Sequence, residues 1–308
     1  MNTRNPNGAK PFLKWAGGKS QLLSQFRKFY PLELKQGKIK KYIEPFLGSG
    51  AVFFDVVKNY QIQSVYLYDI NVELIVAYRV IQKKPAALME LLNKLSGRYK
   101  SFGEAERKQF YYEVRDRYNS ERTEVNYKRF SDKWLVRTAQ MIFLNKTCYN
   151  GLFRLNRNGE FNVPFGSYKN PRILDEDNIL KVSQALQIAQ IQSADFEACD
   201  DIADAQSFVY FDPPYRPLNQ TSNFTSYSQF EFGDEEQKRL SRFYACLDKK
   251  NRAKVMLSNS DPTNENPKDR FFNGLYQGYH IHKVSANRMI NSNAKKRGQI
   301  NELLITNY

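Results

Sequence analysis

The chain of 308 residues carries 47 Lys and Arg against 32 Asp and Glu, a formal charge of +15, with 20 Tyr and 22 Phe. That length buries a sizeable core in about two domains, and the basic excess with interleaved aromatics favours a polyanionic partner held by phosphates and base stacking. Three dispersed cysteines (Cys148, Cys199, Cys246) and two histidines (His280, His282) argue against a disulfide framework or a zinc site.

The N-terminus is polar and rich in Asn, without an apolar signal core, and no run approaches the ~20 apolar residues of a membrane span. The expectation is a soluble, cytoplasmic protein with no metal and no membrane contact. Pro11 to Pro31 reads as a turn followed by an amphipathic helix carrying Leu22, Leu23, Phe26 and Phe29. The Gly-Lys-Ser at Gly18-Lys19-Ser20 is not a phosphate loop. The first glycine of that pattern would fall at Leu13, and no strand clearly precedes it.

Lys41 to Gly50 reads as a strand running into the glycine turn Glu44-Pro45-Phe46-Leu47-Gly48-Ser49-Gly50, followed by a helix over Ala51 to Tyr60. A second strand, Ser64 to Ile70, closes near Asp69, completing a βαβ unit in which such an acid holds ribose hydroxyls. The turn lacks the full dinucleotide spacing and any phosphate-cradling Lys, which favours a nucleoside ligand without a diphosphate. From 72 to 174 helical periodicity dominates. Leu88, Leu91, Leu92 and Leu95 form one stripe, and Trp134, Thr138, Met141 and Ile142 another. That stretch reads as an inserted domain, ending in an irregular segment whose Asn158-Gly159 pair marks a hairpin tip.

The α/β rhythm then returns with strands at Ala189 to Asp195, Phe208 to Asp212 and Lys254 to Asn259, a helix over Glu235 to Leu247, and closing strands at Gly278 to Ser285 and Glu302 to Tyr308. The apolar run Ser207 to Phe211 ends in Asp212-Pro213-Pro214-Tyr215. Taken alone, that tetrapeptide also fits an ordinary turn after a strand. It nevertheless places an acceptor, a rigid backbone and a flat ring where open α/β sheets bind ligands, which suits a planar base with an exocyclic amine.

Together these segments resemble the Dam-type DNA adenine N6-methyltransferases of the alpha group. The resemblance spans nearly the whole chain. It rests on Phe12 to Lys19, on Glu44 to Gly50, on Tyr149-Asn150-Gly151-Leu152-Phe153-Arg154, on Gly159 to Gly166, on Asp212 to Tyr215 and on Asn223 to Tyr227, all in the alpha order. It implies a Rossmann-like S-adenosylmethionine-dependent methyltransferase sheet, with an inserted, mainly helical target-recognition domain carrying a β-hairpin. The catalytic domain would be 1–71 and 175–308 and the recognition domain 72–174. The expected reaction moves a methyl group from S-adenosylmethionine to a flipped-out adenine in duplex DNA, within GATC, and leaves S-adenosylhomocysteine.

By the same resemblance, Asp212, Pro213, Pro214 and Tyr215 are catalytic. Trp15, Lys19, Glu44, Phe46, Gly48, Gly50, Asp69, Asp195, Phe196 and Asp212 line the cofactor pocket. Lys14, Tyr149, Asn150, Leu152, Arg154, Pro164 and Tyr168 meet DNA. Ser167 departs from the pattern, because several relatives carry Arg there. Asn287-Arg288 and Lys295-Lys296-Arg297 read equally as phosphate contacts or a solvated loop. A cognate restriction endonuclease acting separately is a possible partner. Methylation of a protein glutamine or of RNA, and a non-catalytic DNA-binding role, are the competing expectations. Asp212 and the 145–168 segment stand against the first, and the intact glycine turn against the second.

Overall fold

Seven strands form one sheet: β1 (Lys41–Glu44), β2 (Ser64–Asp69), β3 (Ala189–Ser193), β4 (Ser207–Phe211), β5 (Lys254–Ser260), β6 (His280–Asn287) and β7 (Gln299–Thr306). They lie in the computed structural model, which describes residues 8–216, 232–287 and 299–308. The segment Asn223 to Tyr227 and residues Arg288 and Lys295 to Arg297 fall outside the described residues. Strand order is β3-β2-β1-β4-β5-β7-β6. The first five strands are parallel, and β7 runs antiparallel to both β5 and β6. A mixed α/β sheet of this order is consistent with the expected Rossmann-like methyltransferase.

The central strand β4 is a nearly continuous apolar run, buried throughout because both faces of the sheet are covered, whereas the edge strand β3 alternates buried and exposed residues. Alternation sorts the side chains of the sheet: Tyr42, Phe208, Tyr210, Met256 and Leu304 enter one core, whereas Ile43, Val209, Phe211, Val255 and Leu257 enter the other. The helices are α1 (Leu23–Phe26), α2 (Leu32–Lys35), α3 (Ala51–Asn59), α4 (Val72–Lys83), α5 (Pro85–Ser101), α6 (Glu104–Ser120), α7 (Asp132–Thr147), α8 (Glu176–Ala185), α9 (Asp234–Lys249) and α10 (Phe271–Leu275). Leu240, Phe243, Tyr244 and Leu247 of α9 and Phe272 of α10 cover the second face.

The amphipathic helix expected before Pro31 is instead a 3-10 turn at Lys19–Gln21 and the single turn α1. Leu22 and Phe26 still enter the core. Lys19, in the 3-10 turn, is buried.

Between β2 and β3 the chain makes helices α4 to α8. Helix α4 contacts β2 and β3 as well as α5, α7 and α8, and α7 also packs against α5 and α6. Trp134, Met141, Ile142, Phe143 and Leu144 of α7 are buried. A buried ion pair joins the layers: Arg137 of α7 forks onto Glu73 of α4 with N–O distances of 2.6 and 2.8 Å, and its Nη1 donates to the Tyr118 carbonyl. At 155–161 the chain reverses through a turn closed by one isolated bridge, Leu155 to Phe161, with Gly159 at φ 75°. No ladder of paired strands forms there.

Candidate active site

The C-terminal ends of β1 to β5 share one edge of the sheet, so the polar residues that terminate them converge. After β4, the Asp212 carboxylate receives the Lys19 Nζ at 2.9 Å and the Ser258 hydroxyl at 2.9 Å. Burial raises the Asp212 carboxyl above its ordinary range, and the Lys19 ammonium pulls against that rise. Lys19 is 3% exposed, donates to the Gly17 carbonyl, and stands 4.7 Å from the centre of the Tyr215 ring. Pro213 is buried and Pro214 is exposed. The Pro214 carbonyl accepts from Gln237 Nε2, and Gln237 in turn accepts from Asn259. The proline turn is thus pinned by a fully buried amide pair.

Beside it lies the glycine turn after β1. Gly48 and Gly50 adopt φ of 47° and 68°, a region that side chains with a Cβ enter at a cost. An added Cβ on Gly50 would collide with the Tyr78 hydroxyl, 2.7 Å away, and one on Gly48 would press on the Trp15 ring at 3.2 Å. Asp69, ending β2, accepts from Gly48 N and Asn71 N, each at 2.9 Å. Burial pushes its carboxyl up to about 6, against those two N–H donors. Glu44 is 2% exposed and accepts from the Tyr42 hydroxyl at 2.7 Å. Burial, with the nearby Asp212 and Asp69 charges, holds its carboxyl well above the usual range.

The remaining candidates divide. Phe46 is half-buried and stacks on Phe196 with centroids 5.5 Å apart. Phe196 itself is 2% exposed, packed among Phe46, Phe243 and the Arg239 guanidinium, so Phe46 is the more accessible ring. Asp195 is forked by Arg239 at 2.7 and 3.1 Å. Burial would raise its carboxyl, but that pair and the Glu197 N–H hold it below its ordinary value.

The DNA-directed candidates gather where α7 ends. Asn145, fully buried, accepts from Lys14 N and donates to the carbonyls of Lys14 and Gly151, all at 2.9 Å. Lys14 Nζ lies 5.4 Å from the Tyr168 ring centre. Tyr149 is 56% exposed, and its N–H donates to the carbonyl of the exposed Pro164. Asn150 next to it adopts φ 58°. Leu152 is half-buried, and Arg154 Nε donates to Asn162 at 2.8 Å. Ser167 is exposed at φ 50°. Trp15 stacks on Phe153 at 5.2 Å, tying this segment to the glycine turn. Among the described residues no group of three or more His, Cys, Asp or Glu could hold a metal ion, and no helix is long and apolar enough to cross a membrane.

Comparison with known proteins settles the family. The description D12 class N6 adenine-specific DNA methyltransferase matches residues 15–290. The chain belongs to that family. The methyltransferase is 51% identical to the type II methyltransferase M.MjaIII of Methanocaldococcus jannaschii over 97% of this chain and 99% of that protein. It is 36% identical to the type II methyltransferase M1.LlaDCHI of Lactococcus lactis subsp. cremoris, over 99% and 98%. It is 32% identical to the DNA adenine methylase of Haemophilus influenzae, over 96% and 92%.

Several residues that shape the methyltransferase's site were absent from the sequence expectations. Ser258 and Asn259 form a polar pair at the end of an apolar strand, and Glu302 is a lone acid in another. Both are visible anomalies. Gln237, Arg239 and Asn145 sit on helices among other polar residues and carry no such signal.

Proposed function

We propose that this methyltransferase transfers the methyl group of S-adenosylmethionine to N6 of an adenine flipped out of duplex DNA, with GATC as the target, and releases S-adenosylhomocysteine. The observation that carries the reading is the packing of Lys19, Asp212 and Tyr215 beside the Gly48–Gly50 turn on one sheet edge. The donor set fits a cationic nucleoside: three carboxylates (Glu44, Asp69, Asp212) surround a cradle that a Cβ would fill, with one ammonium among them. In this reading Asp69 accepts from ribose hydroxyls. Trp15, Lys19, Glu44, Phe46, Gly48 and Gly50 shape the pocket, Asp195 faces the adenine amine, and Phe196 supports Phe46 from behind. S-adenosylmethionine supplies an activated methyl on sulfur, so no metal is required.

Adenine N6 is a weak nucleophile because its lone pair is delocalised into the ring. Extrusion from the stack costs a few kcal/mol, and stacking on Tyr215 returns ~1–3 kcal/mol. Asp212 and the Pro213 carbonyl accept from the amine and aim its lone pair, with Pro214 holding the turn. Alignment and fixed charge provide the rate. Asp212 need not be a strong base, since the methylated nitrogen becomes acidic.

Residues 72–174 would be the recognition domain and 1–71 with 175–308 the catalytic one. Because α4 lies on the sheet, the part free to read DNA begins near α5. Arg154 would read a guanine with two hydrogen bonds. Leu152 and Pro164 would meet thymine methyls, Tyr149 and Asn150 would enter the duplex, and Lys14 and Tyr168 would meet the outer guanine. A separately acting restriction endonuclease is the further partner this reading admits, in a cytoplasmic setting.

The test uses tritiated S-adenosylmethionine and two duplexes that differ only in carrying GATC on both strands or, in its place, GTTC paired with GAAC. Incorporation into GATC alone, abolished by Asp212→Ala, is the expected result. Equal incorporation into both would overturn the target. Incorporation into neither would overturn the substrate.

A further inference from the structure

Glu302 has no place in the reaction as described so far, yet its carboxylate lies inside the site. The antiparallel course of β7 explains how it gets there. Glu302 pairs with Ser260 at the end of β5, so a residue from the beginning of the last strand lands on the edge where the parallel strands finish. Its side chain is 13% exposed. It accepts from the Tyr215 hydroxyl and stands 4.0 Å from Lys19 Nζ. A carboxylate taken from water needs hydrogen-bonding or charged partners, and the two partners Glu302 meets are the ring and the ammonium that flank Asp212.

We propose that Glu302 is a positioning residue for methyl transfer. It anchors the Tyr215 ring by its hydroxyl, and it shares the Lys19 ammonium with Asp212. The inference rests on the roles assigned above to Asp212 and Tyr215. Two prolines set the backbone leading to Tyr215, but the ring keeps its own torsions; the Glu302 bond removes that freedom. Lys19 then lies over the ring at 4.7 Å, so in this reading the base stacks on the opposite face. Sharing one ammonium between two carboxylates keeps Asp212 a strong acceptor, because Lys19 is not spent on it alone.

The experiment measures the single-turnover rate of methylation of a GATC duplex, with cofactor and DNA saturating, in the full-length enzyme. A parallel duplex carries 2-aminopurine in place of the target adenine, whose fluorescence reports stacking of the extruded base. Glu302→Ala should lower the rate about a hundredfold, the loss expected when a reacting group is misplaced by about an ångström. Glu302→Gln, which keeps an acceptor for the hydroxyl, should restore most of it. Tyr215→Phe should lower the rate as well, and adding Glu302→Ala to it should cost much less than in the wild type, because the two share one bond. Both single variants should change the 2-aminopurine signal while duplex affinity stays within about twofold of wild type, as for a contact realised in the reacting complex.

Wild-type rates in Glu302→Ala or in Tyr215→Phe would overturn the inference, as would full additivity of the two. Tyr215→Phe leaves the charge of Glu302 in place and decides the matter if Glu302→Ala fails to fold. Should Asp212→Ala and Tyr215→Ala also methylate at the wild-type rate, the roles assigned to those two residues fail; should the wild-type enzyme leave the duplex unmethylated, the assigned reaction itself fails. Should Asp212→Ala be inactive while Glu302→Ala and Tyr215→Phe are normal, only the role of Glu302 falls.

Discussion

Asp69 offers the sharpest test of how the cofactor pocket is built. Both carboxylate oxygens accept backbone N–H groups, from Gly48 and Asn71, and burial still raises the carboxyl from 3.8 to about 6. A shift of that size corresponds to ~3 kcal/mol. Its sign follows from linkage: the folded chain holds the proton to higher pH than the unfolded chain, so this stabilisation is present in acid and is lost as pH rises from about 4 through about 6. At pH 7.5 the ionised group therefore opposes folding. Asp69→Asn removes that penalty but offers one carbonyl where two donors need acceptors, leaving a partly buried N–H unmatched at about 1–3 kcal/mol. The two effects nearly cancel, so urea unfolding at pH 7.5 should place the variant within about 2 kcal/mol of wild type. Binding should not cancel. Loss of a charged acceptor for the ribose is worth about 1.5–3 kcal/mol, about 10- to 150-fold in Kd. Calorimetry with S-adenosylhomocysteine measures it directly. Wild-type affinity should also fall from pH 7.5 to pH 5, as Asp69 takes up its proton, and the fall should be smaller in Asp69→Asn, where only Glu44 and Asp212 are left to titrate in the cradle. Equal affinities at pH 7.5, or an undiminished pH dependence in the variant, would refute the assignment.

Three other outcomes are expected. Glu73→Ala strands the buried Arg137 charge between α4 and α7 and should cost about 3–5 kcal/mol in urea unfolding; a loss below about 1 kcal/mol would mean that water reaches the guanidinium. Gly50→Ala puts a methyl against the Tyr78 hydroxyl at a left-handed position, so calorimetric affinity for S-adenosylhomocysteine should drop by about 5- to 30-fold, the ~1–2 kcal/mol that such a backbone costs. Lys14→Ala should weaken duplex binding almost uniformly across sequences and reduce the salt slope by about one, whereas Arg154→Ala should cost about 1–3 kcal/mol at one base pair only. Titrations of GATC and singly substituted duplexes at several salt concentrations separate the two patterns.

Much of the architecture was written locally. The segments 41–44, 207–211 and 254–260 are strands, the glycine turn follows the first of them, and Asp69 and Asp212 end or follow their strands, because a short β-prone segment stopped by Gly, Pro or a polar residue is a property of neighbours in the chain. The family was legible for the same reason, since its signatures are contiguous. The N-terminal helix failed as a local reading: the segment forms two short turns, and Lys19 in the first of them pairs with Asp212, 193 residues on, a contact no local pattern shows. The placement of Glu302 against Tyr215 depends on β7 entering the sheet antiparallel between β5 and β6. That Arg239 takes Asp195, that Phe196 lies beneath Phe46, and that Asn145 ties Lys14 to Gly151 also depend on which elements pack face to face. Periodicity along the chain says what an element is and where it stops. Which carboxylate meets which ammonium is decided only when the register between distant elements is set.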